Sequence, residues 1–437
     1  TWLIDKEGNP VCDAWLWLDS RSSEIAKELT NLESEKSRFN ATGTAIFAGQ
    51  QSAQISYMEK NNPEILNKST TAFHCKDWIY YKLTNIRATD PSEACFTFGN
   101  FKTKNYDKSV INNLGLSKRT NLLPDIIDGS KTTHPLVNEA ADLLGLLSGT
   151  PVSLAYIDAV CTFLGSGGLD LNKNVGTSIL GTTSAHMKAS KINDITPNIN
   201  LKSGYVMLLP IDNLALQLQT SMSGTLNIDW LKLLLKDIFQ EFDIHFNNKN
   251  FTNKINEWIN KAKPGKIIYH PYISEAGERG PFVNNDAKAS IIGLRWNDKF
   301  PEIIRSFVEG LCFAARECYD AIGEMPNEIR IVGGGFQSES IRKIFSSVLK
   351  VSVRKSNRLE AGAAGAAMIG AMSIGVYKDW HSCMDEWIKP YLGEVEKHNK
   401  ELSIIYDKVY KNFLDSRNKI MPLWEKIDAK VLNNNID

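Results

Sequence analysis

The clearest indication of the fold is the segment Ile329-Arg330-Ile331-Val332-Gly333-Gly334-Gly335-Phe336-Gln337-Ser338. Its first four residues predict a strand, and the three glycines predict a tight turn that leads into a helix. The helix is indicated by apolar side chains that recur three and four positions apart, at Ile341, Ile344, Phe345, Val348 and Leu349. A second strand is predicted at residues 351–353. This strand–loop–helix–strand unit predicts an α/β fold, in which helices pack on a sheet.

The segments on either side extend the same pattern. Residues 175–180 predict a strand, Gly181-Thr182-Thr183-Ser184 a tight turn, and residues 185–189 the returning strand. Residues 301–322 keep the helical spacing of apolar side chains. Residues 360–367 are almost all alanine and glycine, so the helix that they begin favours close backbone approach to a neighbouring helix or a ligand. From residue 380 to the end we expect helix.

Length and composition set the class of protein. A chain of 437 residues is too long for one ordinary core, and a glycine cluster (Gly165, Gly167 and Gly168) predicts a boundary between a first domain, 1–168, and a second, 169–437. Hydrophobic residues make up 43% and charged residues 23%, which is typical of a folded globular protein. Basic and acidic residues number 50 each, which argues against a nucleic-acid partner or an anionic membrane. No apolar run reaches the ~18 residues of a membrane span.

The remaining local signals exclude several kinds of site. The seven cysteines form no CxxC pair and have no histidines at zinc-ligand spacing, so we interpret them as buried thiols of a cytoplasmic protein. The chain has no GxxxxGK[ST] phosphate loop, no HExxH, no GxSxG and no HRD–DFG pair. A dinucleotide-binding GxGxxG is absent too, because the segment 333–338 ends in serine. What remains are glycine- and threonine-rich turns at strand ends.

Two of these turns are candidates for binding a phosphorylated ligand. In Gly181-Thr182-Thr183 the backbone N–H groups and hydroxyls would suit phosphate oxygens, although an ordinary hairpin turn explains the same residues. In Gly333-Gly334-Gly335 the missing side chains would let a flat ligand lie against the backbone, with a helix N-terminus beside it. A tight strand-to-helix turn is the alternative there.

Three polar residues are candidates for binding or activating a second ligand that carries hydroxyl groups. Asp158 follows a short apolar run and could serve as a general base, or simply as a helix cap. Asp19 and Arg21 could bind hydroxyl groups beside the neighbouring tryptophans, or form an ordinary surface pair.

Taken in order, these segments resemble the FGGY family of carbohydrate kinases. Trp17-Leu18-Asp19-Ser20-Arg21 is similar to the family's W-x-D-x-R segment, and residues 76–92 to its K-D…L-T…A-T-D-x-S stretch. Glu278-Arg279-Gly280-Pro281-Phe282 resembles G-E-R-x-P-F, and the triple glycine with Ser338, followed by residues 360–367, resembles the adenosine-binding signature. The resemblance runs from about residue 2 to residue 379.

The resemblance implies a two-domain, actin-like and ribonuclease-H-like ATPase fold with mixed sheets and flanking helices. The first domain would bind the sugar, and the second would bind ATP and carry a C-terminal helical extension. The implied reaction is the ATP-dependent phosphorylation of a terminal hydroxyl of a pentulose such as xylulose, or of erythritol. In it Asp158 is the general base, and Mg²⁺ accompanies ATP with Asp158 as a candidate ligand. Gly181, Thr182 and Thr183 would hold the phosphates, and Gly333, Gly334, Gly335 and Ser338 the nucleoside. A homodimer is compatible with this assignment.

One departure from the family pattern favours an alternative. The family opens with a strand and a D-x-G-T-type phosphate loop, which the sequence as given does not contain. We therefore expect that the opening of the first domain is missing before Thr1, and that the polypeptide as written is not a competent kinase. A non-catalytic sugar- and nucleotide-binding sensor on the same scaffold is the alternative function.

Overall fold

The computed structural model of the chain describes residues 1–198, 200–222 and 224–427, with every side chain in these ranges except that of Asn250. The chain divides into two compact units. Unit 1 comprises Thr1–Gly167, Ala189–Gln217 and Arg358–Tyr391, and unit 2 comprises Gly168–Lys188, Leu218–Asn357 and the chain from Leu392 onward. A boundary near residue 168 is thus found, but the chain also passes between the units at four later points. The assignment of domains 1–168 and 169–437 stays a prediction.

The α-helices of the described residues, in chain order, are α1 Ser23–Asn31, α2 Glu35–Thr42, α3 Gln51–Asn61, α4 Pro63–Lys68, α5 Cys75–Thr84, α6 Pro91–Thr97, α7 Lys108–Asn113, α8 Asn138–Leu144, α9 Asp158–Gly165, α10 Leu226–Glu241, α11 Asn248–Lys261, α12 Phe300–Ile322, α13 Glu339–Leu349, α14 Ala361–Ser373, α15 Trp380–Trp387 and α16 Lys400–Ile420.

The strands of the described residues are β1 Trp2–Ile4, β2 Thr71–Phe73, β3 Ala88–Thr89, β4 Gly99–Asn100, β5 Asn105–Tyr106, β6 Asp125–Ile126, β7 Thr133–Pro135, β8 Pro151–Ser153, β9 Val175–Leu180, β10 Ser184–Lys191, β11 Tyr205–Leu208, β12 Leu214–Ser221, β13 Ile268–His270, β14 Ser290–Ile292, β15 Glu328–Val332, β16 Ser352–Ser356 and β17 Leu392–Glu396.

The sheet of unit 2 contains β15, the strand that precedes the triple glycine. Its strands follow the order β12-β10-β9-β15-β16-β17, and β10 and β12 continue into unit 1. The strand β15 is parallel to both β9 and β16, whereas β10 and β17 are antiparallel to their neighbours β9 and β16. The predicted mixed sheet with flanking helices is therefore confirmed. Because β9 and β15 are parallel, the turns that follow them meet at one edge of the sheet.

The core of unit 2 explains why these helices form. In α12 the buried side chains of Ile304, Phe307 and Val308 are at most 1% exposed, and they pack in one cluster with apolar residues of α13, β15, β16 and α16. Burial of each such side chain stabilises the fold by about 1.5–3 kcal/mol. The helix α16 brings Tyr406 and Phe413 to the same cluster, each 0% exposed. Helical periodicity and burial thus agree.

Unit 1 has smaller cores and, in the described part of the chain, short strand pairs: β1 with β2, β3 with β6, β4 with β5, and β7 with β8. Apolar side chains of α3, α7 and the loop before α1 form one cluster, which includes Ile55, Val110 and Trp15. A second cluster joins Cys95 of α6 to Val206 of β11. Helices, rather than a large sheet, account for most of this unit.

Two sequence-based expectations are wrong. All seven thiols were expected to be buried, but Cys75 is exposed and Cys12 is half-buried. The chain from residue 380 onward was expected to be helical, but Leu392–Glu396 forms β17, which pairs antiparallel with β16. This five-residue stretch has only one β-branched residue, Val395, so its sequence favours a strand only weakly. It forms a strand because the open edge of β16 offers hydrogen-bond partners for its backbone. The polar end of the chain, residues 433–435, for which helix was also expected, lies outside the described residues. No helix of the described residues is long and apolar enough to cross a membrane.

Candidate active site

The turn after β9 is the first predicted phosphate-binding element, and it joins β9 to β10 as a hairpin. The Gly181 N–H donates to the Thr183 carbonyl oxygen (3.0 Å), which closes the turn. The side chains of Thr182 and Thr183 are exposed. The hairpin prediction is confirmed, and the exposed hydroxyls are placed where a ligand can reach them.

The segment at the start of α10 packs against this turn and forms a hydrogen bond with it. The Thr225 N–H donates to the Gly181 carbonyl oxygen (2.7 Å). A Cβ atom on Gly224 would lie 2.3 Å from the Gly181 oxygen and 2.7 Å from the Thr182 oxygen. Because only glycine fits there, the N-terminus of the 16-residue helix α10 can begin directly beside the turn. A helix N-terminus favours anionic groups.

The triple glycine follows β15 and lies next to the same turn. Gly333 has φ +104°, and a Cβ atom on it would lie 2.5 Å from the Leu180 carbonyl oxygen. A Cβ atom on Gly335 would lie 2.6 Å from the Leu180 side chain and 3.2 Å from Thr225 Cγ2. The structure therefore brings two of the predicted nucleotide-binding segments together, with Leu180 and Thr225 between them.

Ser338 has a structural task at the start of α13. Its hydroxyl oxygen accepts the Ile341 N–H (3.2 Å), and its O–H donates to Asn256 Oδ1 (2.6 Å). The same Asn256 oxygen accepts the Ser340 N–H (3.1 Å). The sequence does not point to Asn256, because nothing in α11 marks that residue as a partner of a segment 82 positions later.

Glu278 is a second residue whose role the sequence did not reveal. It is 0% exposed and accepts hydrogen bonds from Ser221 Oγ (2.9 Å) and the Met222 N–H (2.8 Å), at the end of β12. The Arg279 N–H donates to it as well (2.9 Å). Burial raises the pKa of Glu278, although the donors around it favour its charged form. The carboxyl group thus ties the 278–280 loop to the segment that leads into Gly224.

Asp19 and Arg21 form the predicted pair in unit 1. Arg21 donates through Nε to Asp19 Oδ1 (3.0 Å) and through Nη2 to Oδ2 (2.6 Å), and its guanidinium lies 3.5 Å from the centre of the Trp15 ring. The Arg21 hydrogen bonds lower the pKa of Asp19. Trp15 is buried beneath Arg21, whereas Trp17 is 66% exposed. The Trp15 ring therefore stacks against the Arg21 guanidinium.

Asp158 is the first residue of α9, and its side chain is exposed. Within the described residues its carboxylate has no hydrogen bond or ion pair, and none joins it to Asp19 or Arg21. The residue before it, Ile157, has the N-cap position and no side-chain acceptor, so Asp158 adds its charge to the first turn without capping the helix.

The alanine- and glycine-rich helix α14 packs against α9. A Cβ atom on Gly365 would lie 1.9 Å from the Cys161 carbonyl oxygen, and one on Gly165 would lie 1.9 Å from the Ala361 carbonyl oxygen. The two helices therefore touch backbone to backbone, as the small residues predicted. The contact of α14 with adenosine stays a prediction.

The described residues contain no group of three or more His, Cys, Asp or Glu side chains that could hold a metal ion. Magnesium is often held by one or two carboxylates together with substrate phosphates. An exposed single carboxylate such as that of Asp158 fits that kind of donor set.

Comparison with known proteins assigns the chain to a family. It matches the FGGY family of carbohydrate kinases, with the N-terminal domain over residues 1–165 and the C-terminal domain over residues 176–374. It is 47% identical to the erythritol kinase of Brucella abortus (strain 2308) over 427 residues, which cover 98% of this chain and 82% of that protein. It is 24% identical to the xylulose kinase of Staphylococcus xylosus over 421 residues, 94% of this chain and 83% of that protein.

The fold agrees with a solved structure. The ligand-bound xylulose kinase from Lactobacillus acidophilus matches with a TM-score of 0.87 at 19% identity, over 98% of this chain and 83% of that one. The two-domain actin-like ATPase fold expected from the sequence is thereby confirmed. With both family domains matched in order, the chain belongs to the FGGY family of carbohydrate kinases.

Proposed function

We propose that this protein catalyses the ATP-dependent phosphorylation of a terminal hydroxyl of a small polyol, with erythritol as the first candidate and a pentulose such as xylulose as the second. The observation that carries the proposal is the 47% identity to an erythritol kinase over 98% of the chain. The identity to a xylulose kinase is about half as high, at 24%. This difference supports erythritol over xylulose.

The nucleotide is assigned to unit 2. The Gly181–Thr183 turn and the N-terminus of α10 offer N–H groups, hydroxyls and a helix dipole to the phosphates. The glycines at 333–335 offer bare backbone to the nucleoside, and Ser338 contributes by fixing the start of α13. Magnesium bound with the phosphates would neutralise part of their charge.

The acceptor is assigned to unit 1. Asp158 orients the attacking hydroxyl and accepts its proton as the oxygen bonds to the γ-phosphorus of ATP, so that the bond to the β–γ bridging oxygen breaks and ADP leaves. The exposed, unpaired carboxylate is suited to this role because no neighbouring described cation competes for it. Asp19 and Arg21 present one acceptor and several donors to further hydroxyl groups.

The test is a substrate screen on the full-length protein. ADP release is measured with erythritol, xylulose, gluconate and glycerol as acceptors. We expect the highest kcat/KM with erythritol, and we expect Asp158→Asn to lower kcat by about 10²–10⁴-fold. The matched control is Asp142→Asn, an exposed aspartate of α8 in the same unit, which should leave kcat unchanged.

Two outcomes would contradict the proposal. Nucleotide binding by calorimetry without turnover of any acceptor would favour the non-catalytic sensor. Full activity in Asp158→Asn would leave the kinase in place but remove Asp158 as its base.

A further inference from the structure

A group of ionisable side chains lies in unit 1, in which the carboxylates of Asp77, Asp90 and Glu93 are buried and Lys76 and His74 are half-buried. Lys76 Nζ lies 2.5 Å from Asp77 Oδ1 and 2.6 Å from Asp90 Oδ2, and both aspartates are 0% exposed. His74 bridges Asp77 and Glu93, with 3.3 Å to each carboxylate. Burying so many charged groups is costly unless they pair well, and a buried ion pair gives little net stability. Stability alone is therefore a weak explanation for the cluster.

The pairing keeps the central charges in place. Burial opposes the charge of Lys76, but the carboxylates of Asp77, Asp90 and Glu93 outweigh it and raise the pKa of that lysine. Burial likewise opposes the charge of Asp77, but Lys76 and His74 outweigh it and lower the pKa of Asp77 to about 2. Lys76 thus stays an ammonium group that holds both aspartates.

From Asp90 a chain of hydrogen bonds leads to the start of α9. Asp90 is the N-cap of α6, where its Oδ1 accepts the Ser92 N–H (2.8 Å) and the Ser92 hydroxyl proton. The Ser92 hydroxyl oxygen in turn accepts the Ile157 N–H (3.1 Å). Because the serine proton is directed to Asp90, the lone pairs of its oxygen are available for that N–H.

Ile157 is the residue directly before Asp158. A helix usually begins with a side chain that accepts one of its first N–H groups, and an isoleucine cannot do so. The carboxylate of Asp158 itself has no hydrogen bond within the described residues. Its position is therefore determined by the backbone that carries it, and Ser92 holds that backbone.

We propose that Ser92, fixed by Asp90 and Lys76, is a positioning residue that holds the first turn of α9 and thereby aims the carboxylate of Asp158 at the acceptor hydroxyl. This inference rests on the proposed role of Asp158 as general base. A displacement of a reacting group by about 1 Å can lower a rate about 10²-fold, so the loss of this anchor should affect turnover more than substrate binding.

Two substitutions break the contact from opposite sides. Ser92→Ala removes the acceptor, and Ile157→Pro removes the donor without changing the buried cluster. Proline suits position 157, where φ is −52°. We expect each variant to lower kcat at least 10-fold while KM for ATP and for erythritol stays within 2-fold, and Ser92→Thr, which keeps the hydroxyl, to recover most of the loss.

The matched control is Thr97→Val on the same helix. Thr97 is also 0% exposed, but its hydroxyl donates only within α6, to the Glu93 carbonyl oxygen (2.8 Å). It should lower stability about as much as Ser92→Ala and leave kcat within 2-fold. Equal kcat values in Ser92→Ala, Ile157→Pro and Thr97→Val would overturn the proposal.

A measurement without turnover separates this inference from the proposed function. Hydrogen exchange of the Ile157 amide should be at least 10-fold faster in Ser92→Ala than in the unsubstituted protein, with the Ser166 amide at the other end of α9 as the reference. Unchanged exchange at Ile157 would overturn the anchoring role even if the enzyme is active. A loss of activity in Asp158→Asn together with full activity in Ser92→Ala would reject only the positioning role.

Discussion

Among single residues, His186 shows most directly how burial controls charge. It is 2% exposed in β10, its Nδ1 lies 3.0 Å from Ser178 Oγ, and within the described residues its Nε2 has no hydrogen-bond partner. Its ring lies against Tyr319 and Phe345. Burial lowers the pKa of His186 from 6.5 to about 3. The folded protein therefore keeps this side chain neutral at any pH above about 3.

This residue predicts a loss of stability in mild acid. Between pH 6.5 and about 3 the unfolded chain binds a proton at His186 that the folded protein does not, so stability falls as the pH falls through this window. At pH 5 the loss amounts to about 2 kcal/mol. Urea unfolding at pH 7 and pH 5 should show a smaller pH effect in His186→Gln than in the unsubstituted protein. The exposed His245→Gln is the control, and an equal pH effect in all three proteins would contradict the prediction.

Among the elements, α9 and α14 form a close backbone contact that constrains the helix carrying Asp158. Gly165 and Gly365 let the two backbones touch, so neither position tolerates a methyl group without displacement of a helix. Since α9 begins with Asp158, α14 and Ser92 both act on the helix that carries this residue, α14 at Cys161 and Gly165 and Ser92 at Ile157.

Gly365→Ala should therefore impair both stability and activity. The added methyl group would lie 1.9 Å from the Cys161 carbonyl oxygen, and we expect a destabilisation of about 1–3 kcal/mol, with a lower kcat because α9 shifts. Gly370→Ala on the same helix meets nothing within 4 Å and should stabilise the protein by up to about 1 kcal/mol. Thermal unfolding and initial rates measure both effects. Similar behaviour of the two variants would show that the close contact is unimportant.

At the scale of the whole molecule, the proposal divides the two substrates between the two units. The segments assigned to the nucleotide, Gly181–Thr183 and Gly333–Gly335, lie in unit 2, and those assigned to the acceptor, Asp19, Arg21 and Asp158, lie in unit 1. If each unit binds its substrate independently, a substitution in one unit should change one Michaelis constant.

Gly224→Ala and Asp19→Asn test this division. The methyl group at position 224 would press on the phosphate turn, so KM for ATP should rise at least 5-fold while KM for erythritol stays within 2-fold. Asp19→Asn weakens a charge-assisted hydrogen bond of about 1.5–3 kcal/mol, so KM for erythritol should rise roughly 10-fold and KM for ATP should not. Asp13→Asn, an exposed aspartate of unit 1, is the control. Parallel changes of both constants in either variant would reject the division.

Much of the fold follows from local sequence, because periodicity and glycine placement act over a few residues. The predicted strand 175–180, the helix over 301–322 and the triple-glycine turn recur as β9, α12 and the turn after β15. The strand β17 could not be predicted in this way, since its hydrogen bonds come from β16, about 40 residues earlier.

The same distinction between local sequence and distant contacts applies to the candidate site. Residue types and their order along the chain are enough to show which groups suit the reaction: a carboxylate at 158, hydroxyls at 182 and 183, and glycine backbone at 333–335. The contacts that hold these groups become visible only in the folded chain, because Ser92 and Ile157 are 65 positions apart and Glu278 and Ser221 are 57 apart. Residue type and spacing record what a side chain can do, whereas the partner of a buried polar group depends on which distant segments the core brings into contact.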